Sequence, residues 1–255
     1  MNYKRSKYFT TSNKRKLKYL FINKKSQITI VFFHGFMSDM IGAKPAAIQK
    51  FCKKQKLNFL KFEYSGHGKS TGKFINGNIS KWTSEAKQLI KSKIKKDKKL
   101  FFIGSSMGSW IALNLFKFFK KQIKGFIGIS SAPEFLEELM WKKFNKKIKK
   151  TIMDKKIYYL KHGEFTYPLT KQLILDGRKN KILNNKINLK IPIVLFHGTN
   201  DEVVPLNFSR KILKIFKKSI KKLIIIKNGN HSLSRKSDLK KIYNELHHMT
   251  KDYLL

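Results

Sequence analysis

The 255-residue chain has little arginine, few acidic residues and a single cysteine. Of its 57 basic residues, 52 are lysines spread from end to end, against 15 acidic residues. Proteins that read nucleic acids use arginine for paired contacts with guanine and phosphate, and no nucleic-acid-binding motif accompanies these lysines, so no specific nucleic-acid partner is expected. The composition is typical of codon drift in an AT-rich genome. The net charge of +42 still predicts weak, salt-sensitive association with anionic membrane surfaces.

Other absences exclude further classes of protein. Cys52 is the only cysteine, so no disulfide can form within the chain, and a reducing compartment is favoured. No segment approaches the ~20 apolar residues of a membrane-spanning helix. The basic N-terminal segment lacks the apolar stretch of a secretory signal, and it is rich in lysine where mitochondrial presequences carry arginine. The histidines and acidic residues do not cluster as metal ligands do, so neither a metal nor a cofactor is predicted.

What remains is a regular alternation of strand-like and helix-like segments. Residues 8–23 predict a hairpin at the edge of a sheet. Further strands are predicted at 28–33, 58–64, 100–104, 123–130, 191–196 and 222–227, and helices at 44–56, 80–96 (capped by Ser80), 110–120, 207–218 and 237–253. This alternation predicts an α/β fold with a doubly wound, mostly parallel sheet. The length fits a single domain over residues 1–255.

The segment KLFFIGSSMG, from Lys99 to Gly108, carries the most informative motif. A strand runs into G-x-S-x-G and a helix follows, which is the context of the nucleophile elbow of α/β hydrolases. The serine in such a sharp turn has strained backbone angles, so the residues two positions to either side must be small. Ser106 is therefore the predicted nucleophile. The alternative is a glycine-rich turn whose serines only cap the helix.

The strand at 28–33 ends in His34-Gly35-Phe36, where an α/β hydrolase provides part of its oxyanion hole. We expect the backbone N–H groups of Phe36 and Met107 to stabilise the oxyanion. His34 is expected to orient this loop and not to transfer a proton.

The remaining members of a catalytic triad follow later strands. Asp201 lies in the loop after the strand at 191–196 and is preferred over the adjacent Glu202 as the acid. His231 lies beyond the strand at 222–227. Ser106, Asp201 and His231 thus occur in the chain order serine, acid, histidine that this fold uses.

Residues 134–190 are too long for a simple connection between two strands, and they are rich in aromatic and apolar side chains. An insertion at this point is predicted to lie over the elbow as a lid, with Trp141 and Tyr159 as candidate substrate-binding residues. The same residues would also suit a small subdomain that packs on itself, and the sequence leaves both possibilities open.

Eight blocks of sequence together resemble a narrower group. They are HGFMSDM (34–40), FEYSGHGKSTG (62–72), GNISKW (77–82), IGSSMGSW (103–110), SAPEFLEELMW (131–141), LILDGRKN (173–180), HGTNDEVVP (197–205) and HSLSR (231–235). Over residues 28–245 the chain resembles the mitochondrial α/β-hydrolase-domain palmitoyl-protein thioesterases, also described as acyl-glucuronide esterases, and their bacterial relatives. The resemblance implies a serine hydrolase of acyl thioesters or esters, with Ser106, Asp201 and His231 at the matching catalytic positions. Ser109 departs from the glycine expected in that family.

The expected substrate is thus a small acyl ester or thioester, or an acylated protein. A carboxylesterase or a peptidase of the same fold is an alternative, since the triad fixes acyl transfer but not the leaving group. A catalytically silent, basic binding module is a third possibility. The composition favours a bacterial cytoplasm as the location, with the mitochondrial matrix as the alternative.

Overall fold

The structure is a computed structural model and describes residues 6–253; residues 1–5 and 254–255 of the predicted domain lie outside the described part. The strands are β1 (Lys7–Thr10), β2 (Lys16–Ile22), β3 (Ile28–Phe33), β4 (Asn58–Phe62), β5 (Lys99–Ser105), β6 (Ile123–Ile129), β7 (Ile157–His162), β8 (Phe165–Thr170), β9 (Pro192–Gly198) and β10 (Ile220–Ile226). The α-helices are α1 (Ala43–Lys54), α2 (Ile79–Lys93), α3 (Met107–Leu115), α4 (Lys146–Lys155), α5 (Lys171–Lys179), α6 (Asn207–Ile215) and α7 (Lys236–Thr250).

Eight strands form one sheet in the order β1-β2-β4-β3-β5-β6-β9-β10. The first two pairs in this order, β1 with β2 and β2 with β4, are antiparallel, and the pairs from β4 to β10 are parallel. The carboxyl ends of β3, β5, β9 and β10 therefore share one edge of the sheet. Ligands of open α/β sheets bind at such an edge.

Helices cover both faces of the sheet. On one face Phe33 belongs to the same apolar cluster as Trp82 of α2 and Trp110 of α3, whereas on the other face Phe32 belongs to a cluster with buried residues of α1 and α7. All six residues of β3 are buried. Burial on both faces explains why the central strands read as continuous apolar runs with no polar alternation.

Four of the five predicted helix starts differ from the structure, by one residue in α1, α2 and α7 and by three residues in α3. α3 begins at Met107, three residues earlier than expected, because the chain turns within one residue after β5. α2 begins at Ile79 and is capped by the Asn78 side chain, which accepts from the Lys81 amide at 2.9 Å. The predicted cap, Ser80, instead lies in the first turn of α2, and its amide donates to Asp176.

The predicted lid, residues 134–190, contains a π-helical turn (Leu136–Met140), α4, the β7-β8 hairpin and α5. Its buried residues Ile152, Leu169 and Leu173 belong to the same apolar cluster as the helices over the sheet. The insertion therefore packs on the main core and not only on itself. Among the helices in residues 6–253, none combines the length and apolar character needed to cross a membrane.

Candidate active site

Ser106 is the single residue between β5 and α3. Its φ of 51° lies in a region that residues other than glycine rarely adopt, so the backbone is strained there. A methyl group on Gly104 would lie 2.5 Å from Ser109 Cα, and one on Gly108 would overlap the Phe33 carbonyl oxygen. The two glycines of the motif thus allow the close approach of strand and helix that leaves Ser106 at the tip of the turn.

The structure brings Ser106, His231 and Asp201 together. Ser106 Oγ lies 3.1 Å from His231 Nε2, and His231 Nδ1 lies 2.9 Å and 3.0 Å from the two carboxylate oxygens of Asp201. The carboxylate assigns the proton of the neutral ring to Nδ1, which leaves Nε2 to accept the serine hydroxyl. This is the arrangement that a serine nucleophile, its base and an orienting acid require.

Asp201 is fixed by the loop that follows it. The amides of Val203 and Val204 donate to its Oδ1 at 3.0 and 2.9 Å, and its side chain is 1 % exposed. Burial acts to raise the pKa of Asp201, but the hydrogen bond and charge of His231 and the Val204 amide together hold it below its ordinary value. Asp201 is therefore ionised at neutral pH. The adjacent Glu202 is exposed and lines the cavity instead.

His197 supports this loop and was not predicted from the sequence. It is fully buried at the end of β9, where its Nε2–H donates to the Val204 carbonyl at 2.8 Å and its Nδ1 accepts from Ser209 of α6 at 2.9 Å. Its Nε2 lies 3.5 Å from Asp201 Oδ2. Burial is the largest influence on the pKa of His197 and lowers it. A neutral His197 thus ties the Asp201 loop to α6.

The two predicted oxyanion donors lie beside Ser106. A methyl group on Gly35 would be 3.5 Å from Ser106 Cβ, so the loop after β3 lies against the elbow, and Phe36 next in the chain lines the cavity. Met107 directly follows Ser106 as the first residue of α3, so its amide has no acceptor within the helix. Their use in stabilising an oxyanion stays a prediction.

His34 has the geometry of an orienting residue. Its Nδ1–H donates to the Gly35 carbonyl at 2.8 Å, and its Nε2 accepts from the Tyr64 amide at 3.4 Å. Burial lowers the pKa of His34 to about 4, against the opposing effect of the Gly35 carbonyl. The ring is therefore neutral at pH 7, with one proton already committed to the backbone.

A cavity of about 1050 Å³ includes Ser106 and His231 in its wall. One group of lining residues is apolar and comes mostly from the predicted lid and the loops after β3 and β9: Phe36, Phe135, Leu139, Met140, Leu160, Tyr167, Val203 and Val204. Phe36 packs against Phe135 and stacks on Tyr167, with ring centroids 5.2 and 6.1 Å away. A second group is polar: Ser38, Asp39, Lys44, Asn228, Asn230, Ser232 and Ser234.

The structure does not bring Trp141 and Tyr159 into this cavity. The Trp141 ring lies against the Arg178 guanidinium, 4.7 Å from its centroid, and Tyr159 is 57 % exposed on β7. The next residue of β7, Leu160, lines the cavity, whereas Tyr159 faces solvent. The apolar residues that the lid contributes to the wall are Phe135, Leu139, Met140, Leu160 and Tyr167, so the prediction that Trp141 and Tyr159 bind substrate places them wrongly.

Ser109 fits where the family resemblance predicts glycine. Its hydroxyl donates to the Gly104 carbonyl at 2.8 Å and lies 2.7 Å from Ser131 Oγ, and the residue is fully buried. The serine side chain therefore binds back to β5, and α3 keeps its close approach to the strand.

Family models match most of the described fold. One described as serine aminopeptidase, S33, matches residues 24–183, and one described as phospholipase/carboxylesterase matches residues 172–250. This chain is an α/β hydrolase. It belongs to the serine aminopeptidase, S33, family, whose model covers more than half of its length. The predicted fold class is confirmed.

Named relatives support a narrower similarity. The mitochondrial palmitoyl-protein thioesterase ABHD10 of Mus musculus is 27 % identical over 217 residues, which are 82 % of this chain and 71 % of the relative. The structure of mouse α/β hydrolase domain-containing protein 10 matches with a TM-score of 0.88 at 23 % identity, over 97 % of this chain and 99 % of that one. A putative hydrolase from Agrobacterium vitis S4 matches with a TM-score of 0.90 at 26 % identity, over 96 % and 98 %. The predicted resemblance to these proteins is confirmed.

Some residues of the site carry no signal in the sequence. Lys44 is one of many lysines, and only its place in the cavity wall distinguishes it. His197 has a recognisable position, at the end of a buried strand and four residues before Asp201, which could have suggested its role. Within the described residues no group of three or more histidine, cysteine, aspartate and glutamate side chains could hold a metal ion.

Proposed function

We propose that this hydrolase cleaves acyl esters or thioesters, with Ser106 as nucleophile, His231 as general base and acid, and Asp201 as the orienting carboxylate. The observation that carries the proposal is the unbroken line of hydrogen bonds from Asp201 through His231 to Ser106 in the wall of a partly apolar cavity. A nucleophile in contact with a base that is itself held by an acid serves acyl transfer.

In the first half of the reaction Ser106 Oγ attacks the substrate carbonyl while its proton moves to His231 Nε2. The ionised Asp201 stabilises the positive imidazolium through the Nδ1–H bond. The amides of Phe36 and Met107 donate to the negative oxygen of the tetrahedral intermediate, and each such donor contributes roughly 10²–10³ in rate. The intermediate collapses to an acyl-serine as His231 Nε2 returns the proton to the departing oxygen or sulfur.

In the second half a water molecule takes the place of the leaving group. His231 Nε2 accepts a proton from the water as its oxygen attacks the acyl-serine carbonyl. The same two amides stabilise the second tetrahedral intermediate. His231 then protonates Ser106 Oγ, the carboxylic acid product leaves, and the free enzyme is restored.

The apolar group of cavity residues supports an acyl chain as the part of the substrate that the enzyme retains. Leu139, Met140 and Leu160 come from the predicted lid and lie in the same wall as Ser106. The mouse relative is named a palmitoyl-protein thioesterase. We infer that the substrate is a small acyl ester or thioester or an acylated protein.

A peptidase is the second candidate, because the family model that covers most of the chain is described as serine aminopeptidase. An amide leaving group needs protonation by His231 in the same way as an alcohol or thiol. The two functions differ in which substrate is turned over, so the experiment includes an aminoacyl 4-nitroanilide.

The test is labelling with a fluorophosphonate probe, followed by hydrolysis of 4-nitrophenyl esters and acyl thioesters of several chain lengths. Ser106→Ala should abolish both labelling and turnover. Ser105→Ala is the matched control, because Ser105 is the neighbouring serine of the same motif, lines the same cavity and should keep both.

Failure has distinct forms in this experiment. Turnover that survives in Ser106→Ala would reject Ser106 as nucleophile. Turnover of the nitroanilide alone would favour the peptidase. A folded wild-type protein that neither labels nor turns over any substrate would support the catalytically silent binding module.

The location of the protein and its weak association with anionic membranes remain predictions. The mouse relative is named as mitochondrial, which agrees with the mitochondrial alternative. The lysine-rich composition is the basis of the bacterial cytoplasmic one.

A further inference from the structure

Lys44 links the two loops that frame the active site. It is the second residue of α1, which follows the predicted oxyanion loop, and its Nζ donates to the Ser232 carbonyl oxygen, next in the chain to His231. The same Nζ lies 3.5 Å from Ser234 Oγ. Lys44, Ser232 and Ser234 all line the cavity that contains Ser106.

The Lys44 ammonium has no acidic partner, since no ion pair within residues 6–253 involves it. Asp39 lines the same cavity, but its carboxylate accepts from the Ile41 amide. Burial lowers the pKa of Lys44 to about 8, with no opposing charge. A half-buried cation without a counter-ion is costly, and a bound anion relieves that cost.

Two hydroxyl groups complete the surroundings of this ammonium. Ser232 Oγ and Ser234 Oγ lie 2.6 Å apart, so one donates to the other, and Ser234 Oγ also lies 3.2 Å from the Ser232 carbonyl oxygen. Either hydroxyl can rotate its proton toward an incoming oxygen by exchanging one of these bonds for the new one. An ammonium group with two hydroxyls and no paired carboxylate suits an anionic oxygen, such as that of a carboxylate or a phosphate ester.

Because Lys44, Ser232 and Ser234 lie beside His231, they meet the leaving-group side of the substrate. The leaving group takes its proton from His231, so it must lie on the His231 side of the reacting carbonyl. Lys44 and Ser232 adjoin His231 in space and in sequence, whereas the apolar residues of the lid suit the acyl chain.

We propose that Lys44, Ser232 and Ser234 form an oxyanion-binding subsite that selects substrates whose leaving group carries a carboxylate or a phosphate. The proposal rests on the proposed esterase or thioesterase function. It adds a determinant of leaving-group specificity to the triad, and Lys44 is its central residue.

Two matched pairs of substrates test it. The first pair is 4-nitrophenyl butyrate and its 3-carboxy derivative, and the second is S-butyryl pantetheine and its 4′-phosphate. For each substrate, kcat/KM of the variant is divided by that of the wild type, which cancels the intrinsic reactivity of the leaving group. The two members of a pair are then compared by this ratio. The first pair reports on a carboxylate and the second on a phosphate.

Lys44→Met should lower kcat/KM for the anionic member of at least one pair about tenfold or more, since hydrogen bonds to charged groups are the stronger class. The lost bond to the Ser232 carbonyl should affect both members of a pair equally, so the additional loss for the anionic member measures the subsite and should appear mainly in KM. Lys44→Arg keeps the charge and should retain most of the preference. Lys143→Met is the control, because Lys143 lines the same cavity from the lid and lies outside the subsite.

Equal losses for neutral and anionic members in Lys44→Met would overturn the proposal, because they would show that Lys44 only tethers the His231 loop. Unchanged ratios in both pairs would also overturn it. If Lys44→Met does not fold, Lys44→Arg and Ser234→Ala test the proposal instead. Lys44→Arg should retain the preference for the anionic member, and Ser234→Ala should lower kcat/KM for the anionic member about threefold. Failure of the triad itself would appear separately, as turnover that survives in Ser106→Ala.

Discussion

His197 shows how a single buried side chain can determine where an acid lies. It makes two hydrogen bonds, to the Val204 carbonyl and to Ser209, and so holds the loop whose amides bind Asp201. Without these bonds the carboxylate keeps its charge but loses its orientation toward His231. Loss of this orientation should affect catalysis more than substrate binding, because His197 does not line the cavity.

We therefore predict that His197→Phe lowers kcat for acyl esters roughly 10²-fold, the size of effect expected from small misplacements of catalytic groups, with little change in KM. Ser209→Ala removes one of the two bonds and should cause a smaller loss. Steady-state kinetics and the rate of fluorophosphonate labelling measure both variants. A folded His197→Phe protein with wild-type kcat would contradict the positioning role.

Ser109 is a second residue whose effect is local, but it acts on stability. Its hydroxyl bonds the Gly104 carbonyl and the buried Ser131 hydroxyl, so Ser109→Ala removes two buried hydrogen bonds and should cost about 1–3 kcal/mol in the free energy of unfolding. Urea denaturation gives the change. Ser84→Ala on the exposed face of α2 is the control and should stay within about 0.5 kcal/mol. A loss of activity without loss of stability would show that Ser109 positions the elbow.

That Ser106, Asp201 and His231 lie together could be predicted from the sequence, because each of them follows a strand that is recognisable by its apolar run; their catalytic roles stay a prediction. Ser106, Asp201 and His231 needed only residue type and chain order. The roles of His197 and Lys44 depend on which side chains meet across loops distant in sequence. These contacts depend on how the loops pack against one another, and no local pattern in the sequence indicates them.

At the scale of elements, the active site depends on how closely α3 approaches β3 and β5. A methyl group on Gly108 would overlap the Phe33 carbonyl and lie 2.6 Å from that of His34, both of them backbone atoms that cannot rotate away. The helix must then shift, and Ser106 and the Met107 amide shift with it.

Gly108→Ala should therefore destabilise the fold by about 1–3 kcal/mol and lower kcat roughly 10²-fold. Gly177→Ala in α5 is the matched control, since its methyl group would meet only side-chain atoms, the nearest at 3.1 Å. Urea denaturation and ester hydrolysis of both variants provide the comparison. Wild-type activity in Gly108→Ala would contradict the tight packing of the elbow.

The β7 strand offers a matched pair of neighbours. Leu160 lines the cavity, whereas Tyr159 is 57 % exposed. Leu160→Ala enlarges the apolar part of the cavity and should shift the preferred ester chain length upward, while Tyr159→Ala should leave it unchanged. The profile of kcat/KM over a series of 4-nitrophenyl esters measures the shift. A change in Tyr159→Ala alone would restore the original prediction that Tyr159 binds substrate.

This pair also shows a limit of sequence analysis in the lid. Successive residues of a strand point to opposite faces, and a shift of one position exchanges them. In β7 both Tyr159 and Leu160 are apolar enough for either face, so the sequence could not determine which face lies inward. The sheet posed no such problem, because strands buried on both faces are apolar throughout.

At the scale of the whole molecule, the chain combines a net charge of +42 with histidines that are buried in neutral form. Burial lowers the pKa of His34 to about 4 and that of His67 to about 3, the latter also through the nearby His34. In the unfolded chain both return to about 6.5. The unfolded state therefore binds more protons than the folded state between these values, so stability rises with pH in this range and falls on acidification.

We predict that the free energy of unfolding decreases by about 2 kcal/mol for each of His34 and His67 between pH 7 and pH 5, a window in which most carboxylates stay ionised. Urea denaturation at a fixed ionic strength of about 0.15 M keeps the screening of the positive charge constant. His34→Gln should reduce the pH dependence, whereas His247→Gln on the exposed face of α7 should leave it unchanged. The rings of Tyr64, Phe74 and Trp82 pack against these two histidines. Equal stability at the two pH values would mean that the histidines take up protons without unfolding, and that these rings open to water in the native state.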